Sequence, residues 1–181
     1  MSIILPNMEG FWDPEQYCHM NKIRAKSGAL VPFKLWDHQR ILAAAVRDCY
    51  QNNKWLVHVK PRQEGSSTFF TSVATQHAMF RKGCRVGLLA HKKQMAQNLS
   101  EMAVRFHRHM PTQIKPKKTT GLKRTLEFPE LDSRMVVASV NDEEPLRGET
   151  VQVLMATEIS KWSEVAGPDA WTSALNAVPS N

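Results

Sequence analysis

Two segments of this sequence carry side chains suited to phosphate chemistry, and the first is Lys60–Thr68, which reads KPRQEGSST. It combines two cations with a glycine and three adjacent hydroxyl side chains. It lies between an apolar run and a helical pattern, so backbone N–H groups and a helix N-terminus would face a bound anion there. We interpret this segment as a candidate phosphate-binding loop.

The candidate loop departs from the usual pattern G-x-x-x-x-G-K-[ST]. Gly65 matches the second glycine and Ser67 matches the Mg²⁺-binding hydroxyl, whereas Lys60 replaces the first glycine and Ser66 the usual lysine. A lysine entering from the start of the loop could still bring its ammonium to the β- and γ-phosphates, with Arg62 as a second cation. A plain basic turn between a strand and a helix would contain the same residues.

The second segment is VLMATE at 153–158, an apolar run that ends in Thr157 and Glu158. A carboxylate at the C-terminal tip of a parallel strand lies where such sheets bind ligands. Glu158 could there polarise a water for attack on a γ-phosphate. The pattern normally has Asp at the position of Thr157, whose hydroxyl can hold a Mg²⁺-bound water but adds no charge. An ordinary acidic residue at a helix start is the alternative for Glu158.

A glutamine lies upstream of both segments, in the stretch Phe33–Gln39 that reads FKLWDHQ. The amide of Gln39 can accept a hydrogen bond from adenine N6 and donate one to N7. A single glutamine near a helix start carries little information by itself.

Hydrophobic periodicity predicts the elements that would position these residues. Helical spacing predicts a helix capped by Asp37 and running to about Tyr50, one from the loop to about Arg81, and two more over Lys92–His109 and Pro168–Ala177. Short apolar runs predict strands at Trp55–Val59, Arg85–Ala90, Leu122–Phe128, Arg134–Val140 and Val151–Thr157. Strands alternating with helices predict an α/β fold with a parallel sheet and helices on both faces, after an irregular N-terminal segment at 1–35.

Composition narrows the class of protein. A net charge of +7 suits a polyanionic partner such as nucleic acid. Part of that charge is the run Lys115–Arg124, which is either a solvated loop or a contact for DNA or a partner. No membrane-length apolar run and no signal-peptide pattern is present, so we expect an intracellular protein. The three cysteines have neither disulfide-framework nor zinc spacing.

Together these segments resemble the ATPase domain of large terminase subunits from tailed bacteriophages. The likeness rests on the Gln39 segment, on K-x-R-x-x-G-x-S-T at 60–68, on PLRGET at 145–150, and on the strand ending in Glu158 followed by ISKW. It covers roughly residues 33–165. It implies a P-loop NTPase-type parallel-sheet core in residues 36–181 and an ATP hydrolase that translocates double-stranded DNA into a viral procapsid.

The resemblance also implies roles for individual residues. Lys60 and Arg62 would contact phosphates, Gln39 would read adenine, and Arg147 matches an arginine that the family carries near a subunit interface. The implied catalytic residues are Glu158, Lys60 and Arg147, and the implied Mg²⁺ ligand is Ser67. Thr157 departs from the family, which usually has Asp at this position, and its hydroxyl would reach Mg²⁺ through a water. The implied ATP-binding set is Gln39, Lys60, Arg62, Gln63, Glu64, Gly65, Ser66, Ser67 and Thr68.

The partners implied by the resemblance are double-stranded DNA, a portal protein, a small terminase subunit and further copies of the chain in a ring, in the host cell cytoplasm. The chain ends before the family's coupling motif and nuclease domain, so we expect a core truncated at its C-terminus that hydrolyses ATP poorly alone. One alternative is a helicase-like translocase, although Ile159 and Ser160 do not continue its D-E-x-H pattern. Another is a catalytically weak nucleotide-binding assembly module, which Ser66 and Thr157 favour.

Overall fold

The chain forms an α/β fold around a mixed five-stranded sheet, as given by a computed structural model. The structure describes residues 13–52, 54–59, 64–120, 124–142, 145–146, 148–166 and 170–178. Its helices are α1 (Pro14–His19), α2 (Asp37–Gln51), α3 (Ser66–Phe80), α4 (Lys93–His109), α5 (Trp162–Ala166) and α6 (Ala170–Leu175). Its strands are β1 (Lys22–Arg24), β2 (Leu30–Pro32), β3 (Arg85–Ala90), β4 (Thr119–Thr120), β5 (Thr125–Phe128), β6 (Ser133–Ser139) and β7 (Val153–Ala156).

The large sheet has the strand order β4-β5-β6-β3-β7. Strands β6, β3 and β7 run parallel to one another. Strand β4 pairs antiparallel with β5, and β5 pairs antiparallel with β6. The sequence therefore predicted the α/β class and the hairpin of β5 and β6, and the sheet is mostly parallel along its central part. Such a sheet is compatible with a Rossmann-like or P-loop-like core, and the described residues do not identify a phosphate loop.

Side-chain alternation along the strands divides the core between the two faces of the sheet. Val86, Leu88 and Ala90 of β3 pack with α3 and α4, in a cluster that includes Ala78 of α3 and Leu99 of α4. On the opposite face Leu89 packs with Trp162 and Ala174 from the C-terminal helices. The predicted helices on both faces of the sheet are thus confirmed.

The N-terminal stretch is more ordered than the sequence indicated. The prediction of irregular structure throughout 1–35 is wrong for α1 and for the β1–β2 hairpin, and residues 1–12 lie outside the described part. Tyr17 and Cys18 of α1 are fully buried and belong to the same hydrophobic clusters as α3. These contacts order a short helix whose own sequence has too few turns to be stable alone.

The predicted strand at Trp55–Val59 is not formed, because residues 54–59 carry no strand pairing. Trp55, Val57 and Val59 are 61%, 85% and 92% exposed, so this apolar run is not a core element in the structure. Strand propensity expresses how well a residue fits a pleated, half-buried surface, and the run meets no such surface here. The loop that follows therefore does not begin from a buried strand.

The remaining predicted helices and strands agree with the structure within a few residues. Asp37 is the first residue of α2 and not its cap, a position that Trp36 occupies. The predicted helix at Pro168–Ala177 corresponds to α6, and β7 is shorter and less buried than the predicted core strand. Among the described helices, none has the length and apolar character needed to span a membrane.

Candidate functional site

Chain topology brings the start of α3 and the ends of the parallel strands to the same edge of the sheet. The turn between α3 and β3 is short, so the two elements run antiparallel, and α3 packs against β3, β6 and β7. The 15 residues of α3 span about 22 Å, and the 6 residues of β3 span about 20 Å. The N-terminus of α3 therefore lies near the carboxyl ends of β3, β6 and β7. We call this side of the sheet the carboxyl edge.

The first turn of α3 offers backbone donors to an anion. Gly65 precedes the helix with φ of +68°, in the left-handed region that glycine adopts without strain. The first helical hydrogen bond runs from Phe69 N to Gly65 O at 3.0 Å. The N–H groups of Ser66, Ser67 and Thr68 consequently have no acceptor within the helix. The first turn contains no acidic residue, so the positive end of the helix dipole is not neutralised there.

Gln39 joins the start of α2 to the start of α3. Its Oε1 accepts a hydrogen bond from Trp36 N at 3.0 Å, and its Nε2 donates to Gly65 O at 3.2 Å. The side chain is buried, and a Cβ on Gly65 would lie 2.9 Å from Nε2. Both ends of the amide thus bind backbone in this structure, so contact with adenine would require exchanging these bonds. The role of Gln39 in reading adenine stays a prediction.

Two histidines also bind residues at the start of α3. His38 Nε2 lies 2.8 Å from Glu64 O, and His58 Nε2 lies 3.1 Å from Ser66 Oγ. Ser66 is only 1% exposed, so its hydroxyl is enclosed and engaged by an imidazole. Of the three hydroxyl residues in this turn, Ser67 and Thr68 are half-buried and Ser66 is buried.

Thr157 and Glu158 follow β7 at the carboxyl edge, as the sequence predicted. Thr157 continues the ladder by donating from its N to Leu89 O at 2.9 Å, and its own carbonyl accepts from Trp162 Nε1 at 3.0 Å. Glu158 leaves the strand with φ of +53°, a conformation that costs a non-glycine residue about 1 kcal/mol or more. Strain of this kind concentrates at functional sites, and here it lies where the chain leaves β7.

Among the described residues, His91 and Lys161 both contact the carboxylate of Glu158. Its Oε2 lies 2.8 Å from His91 Nδ1 and 3.0 Å from Lys161 Nζ. Sequence reasoning missed His91, although one signal was available. His91 directly follows the buried strand β3, in the same position relative to the carboxyl edge as the polar residues after β7.

Polar residues also follow β6 at this edge, where they stabilise the turn. Asn141 Nδ2 donates to His91 O at 3.3 Å. Asp142 Oδ2 accepts from Ser139 N at 2.8 Å and from Arg124 Nη2 at 2.9 Å. The carboxylate of Asp142 is thus committed to local contacts that hold the end of β6.

The loop between β6 and β7 is fixed on either side of the candidate residue Arg147. Leu146 is buried, and a Cβ on Gly87 in the middle of β3 would lie 3.0 Å from its Cδ1. Glu149 forms a two-point ion pair with Arg134, at 2.6 Å and 3.1 Å, near the amino end of β6. The residues flanking Arg147 therefore lie between the middle and the amino end of the sheet, away from Glu158.

Four predicted site residues lie outside the described residues, and their roles stay predictions: Lys60, Arg62, Gln63 and Arg147. Within the described residues, no group of three His, Cys, Asp or Glu side chains is placed to hold a metal ion. The predicted Mg²⁺ contacts of Ser67 and Thr157 use hydroxyl groups and are a separate prediction.

The basic run at 115–124 is largely paired where it is described. Lys115 Nζ donates to Arg108 O at 3.2 Å, and Lys117 lies 3.2 Å from Glu130. Arg124 is engaged by Asp142, and residues 121–123 lie outside the described part. Lys117 stays 86% exposed in its ion pair, so a solvated loop and a contact for DNA or a partner both remain predictions for this run.

Comparison with known proteins supplies no family for the chain. A scan against protein-family models matched none, and a search of curated proteins found no match. Any statement about function therefore depends on the sequence pattern and on the geometry of the carboxyl edge.

Proposed function

We propose that this chain is the ATPase core of a viral DNA-packaging motor, which hydrolyses ATP to translocate double-stranded DNA into a procapsid. One observation carries the proposal: the N-terminus of α3 and the Thr157–Glu158 pair lie on the same edge of a mostly parallel sheet. The resemblance of four ordered segments to large terminases supports it. The proposed partners are a portal protein, a small terminase subunit and further copies of the chain in a ring.

The role proposed for each group follows from its charge and its position at the carboxyl edge. The N–H groups of Ser66, Ser67 and Thr68 bind phosphate oxygens, because anions are stabilised at a helix N-terminus. Lys60 and Arg62 add the positive charge that phosphoryl transfer requires. Glu158 orients the attacking water and accepts its proton, which its carboxylate can do from the tip of β7.

Mg²⁺ is the metal implied by this chemistry, and the hydroxyls of Ser67 and Thr157 are suitable to hold it. Thr157 Oγ1 donates its hydrogen to Leu89 O at 3.3 Å, so the lone pairs of that oxygen remain oriented away from the backbone. Alternation places Thr157 with Val153 and Met155, which pack on the α3 face of the sheet. Bound Mg²⁺ would neutralise charge on the phosphates.

A test of the proposal compares two variants by ATP binding and by turnover. Glu158→Gln should bind nucleotide within a few fold of the wild type and lose nearly all turnover, because its charge matters mainly in the transition state. Lys60→Ala should lower turnover about a hundredfold or more. Ser66→Ala is the matched control within the loop, with a loss of about 0.5–1.5 kcal/mol of stability for one hydrogen bond and little loss of rate. Normal hydrolysis by Lys60→Ala would show that the loop assignment is wrong.

A catalytically weak nucleotide-binding module is the second candidate, and three observations favour it. The amide of Gln39 is occupied by backbone groups, residues 54–59 form no strand, and Ser66 is enclosed by His58. Such a module would bind ATP with Mg²⁺ and show no turnover with DNA present. Measured turnover that disappears in Glu158→Gln would exclude it.

A further inference from the structure

His91 is a buried residue whose ring contacts the carboxylate used in the proposed reaction. Its Nδ1 lies 2.8 Å from Glu158 Oε2, and its side chain is 9% exposed compared with 37% for Glu158. We propose that His91 is a positioning residue that holds the Glu158 carboxylate in the orientation needed to polarise the attacking water. This inference rests on the proposed function, because it assigns His91 a part in the same reaction.

The register of the sheet places these two residues side by side. The β3–β7 register pairs Leu89 with Ala156, an offset of 67 residues (156 − 89). The same offset joins His91 to Glu158 (158 − 91 = 67). The hydrogen bond from Thr157 N to Leu89 O extends the ladder to this point. The last paired residues lie two positions before His91 and Glu158, and adjacent strands lie about 4.8 Å apart, so the sheet brings the two residues near each other.

The backbone of His91 is fixed by its neighbours. Val140 N donates to Ala90 O at 2.9 Å, and Asn141 Nδ2 donates to His91 O at 3.3 Å. A buried ring on a fixed backbone has few accessible rotamers, so Nδ1 stays in one place 2.8 Å from the carboxylate, in an ion-pair contact without hydrogen-bond geometry in this structure. A fixed ring at this distance limits the positions that the carboxylate can take.

Lys161 binds the same oxygen but is less suited to orient it. Its side chain is 38% exposed, and it lies within the same short turn as Glu158. An exposed ion pair of this kind contributes about 0–1 kcal/mol and leaves a long side chain free to move. His91 therefore fixes the position of Oε2, and Lys161 contributes mainly positive charge.

Kinetics with Mg²⁺-ATP and duplex DNA test the role of His91. His91→Ala should lower kcat about 10- to 100-fold with KM within a few fold, because misplacing a reacting group by about 1 Å can cost a hundredfold. His91→Asn should recover most of the rate, since its Nδ2 can lie near the position of Nδ1 and donate to Glu158. His91→Phe fills the space without a donor and should stay as slow as His91→Ala.

A matched control shows whether a loss of kcat comes from removing any histidine or from removing the contact with Glu158. His107 is half-buried and donates a hydrogen bond from Nε2 to Pro116 O at 2.9 Å. His107→Ala should keep the wild-type kcat even if its unfolding temperature falls. Equal losses of kcat in His91→Ala and His107→Ala, or no recovery in His91→Asn, would assign His91 a structural role and overturn the inference.

A spectroscopic measurement tests the contact without using turnover. In ¹⁵N-histidine-labelled protein, Glu158→Ala should shift the ring signals of His91, because it removes the carboxylate that lies 2.8 Å from Nδ1. Ring signals that Glu158→Ala leaves unchanged would overturn the inference.

The two proposals fail in distinguishable ways. A wild-type chain that binds no nucleotide would overturn the proposed function and, with it, the role of His91. Turnover that Glu158→Gln abolishes and His91→Ala leaves intact would overturn the role of His91 alone.

Discussion

Substituting Gly65 by alanine tests the contact between the start of α3 and Gln39. The new Cβ meets two separate costs. At φ of +68° an alanine is strained by about 1–2 kcal/mol. The Cβ would also lie 2.9 Å from Gln39 Nε2, so the amide must move and weaken its hydrogen bond to Gly65 O, which costs about 0.5–1.5 kcal/mol more. The expected total loss of unfolding free energy is about 1.5–3.5 kcal/mol.

Gly83 provides a matched control for the backbone strain. Its φ is also +68°, and a Cβ there would meet no atom within 4 Å. Gly83→Ala should therefore lose only the strain, about 1–2 kcal/mol. In a chain of this length 1 kcal/mol shifts the unfolding temperature by about 2–4 °C, so Gly65→Ala should melt a few degrees below Gly83→Ala.

Thermal and urea unfolding followed by circular dichroism measure this difference. A Gln39→Ala background should bring the cost of Gly65→Ala down to that of Gly83→Ala, because the obstructing amide is gone. Equal losses for the two glycine variants in the wild-type background would refute the packing of Gln39 against Gly65. So would a cost of Gly65→Ala that the Gln39→Ala background leaves unchanged.

Two further predictions concern the pH dependence of stability and the role of Arg147 in assembled subunits. Burial lowers the pKa of His77 from 6.5 to about 3, so the unfolded chain binds the proton first and stability falls as pH drops from 6.5 toward 3, by about 1.4 kcal/mol per pH unit. His77→Gln should flatten this dependence in unfolding curves, and an equally steep curve would show that other groups cause it. Arg147 should act on the ATP of a neighbouring subunit, so mixing inactive Arg147→Ala with inactive Glu158→Gln should restore part of the ATPase activity under assembling conditions. Hetero-oligomers with no recovered activity would exclude that role.

Elements with a strong periodic pattern were predictable from the sequence. The apolar stripes of α2 and α4 and the buried run of β3 each define one face or one strand by themselves. Trp55–Val59 was not predictable in the same way, because a strand forms only where a partner and a surface are present. The short helix α1 was missed because the burial of Tyr17 and Cys18, and not local propensity, stabilises it.

The same distinction between local sequence pattern and tertiary contact applies to the residues of the candidate site. Glu158 could be placed at the carboxyl edge because it ends an apolar run in an alternating pattern. His91 could not be paired with it, since the contact depends on the offset between β3 and β7, which neither strand encodes locally. The amide of Gln39 was predicted to bind adenine, and its backbone partners Trp36 and Gly65 have no sequence signature.

The deep burial of α3 determines how its backbone amides can exchange with solvent. Nearly every side chain from Thr71 to Met79 is enclosed, by the sheet on one side and by α1 and α4 on others. Such a helix cannot unfold locally without exposing most of the core, so its central amides should exchange with solvent only through global unfolding. An anion bound at its N-terminus would then stabilise the whole chain by RT ln(1 + [L]/Kd) and would slow exchange throughout the folded core.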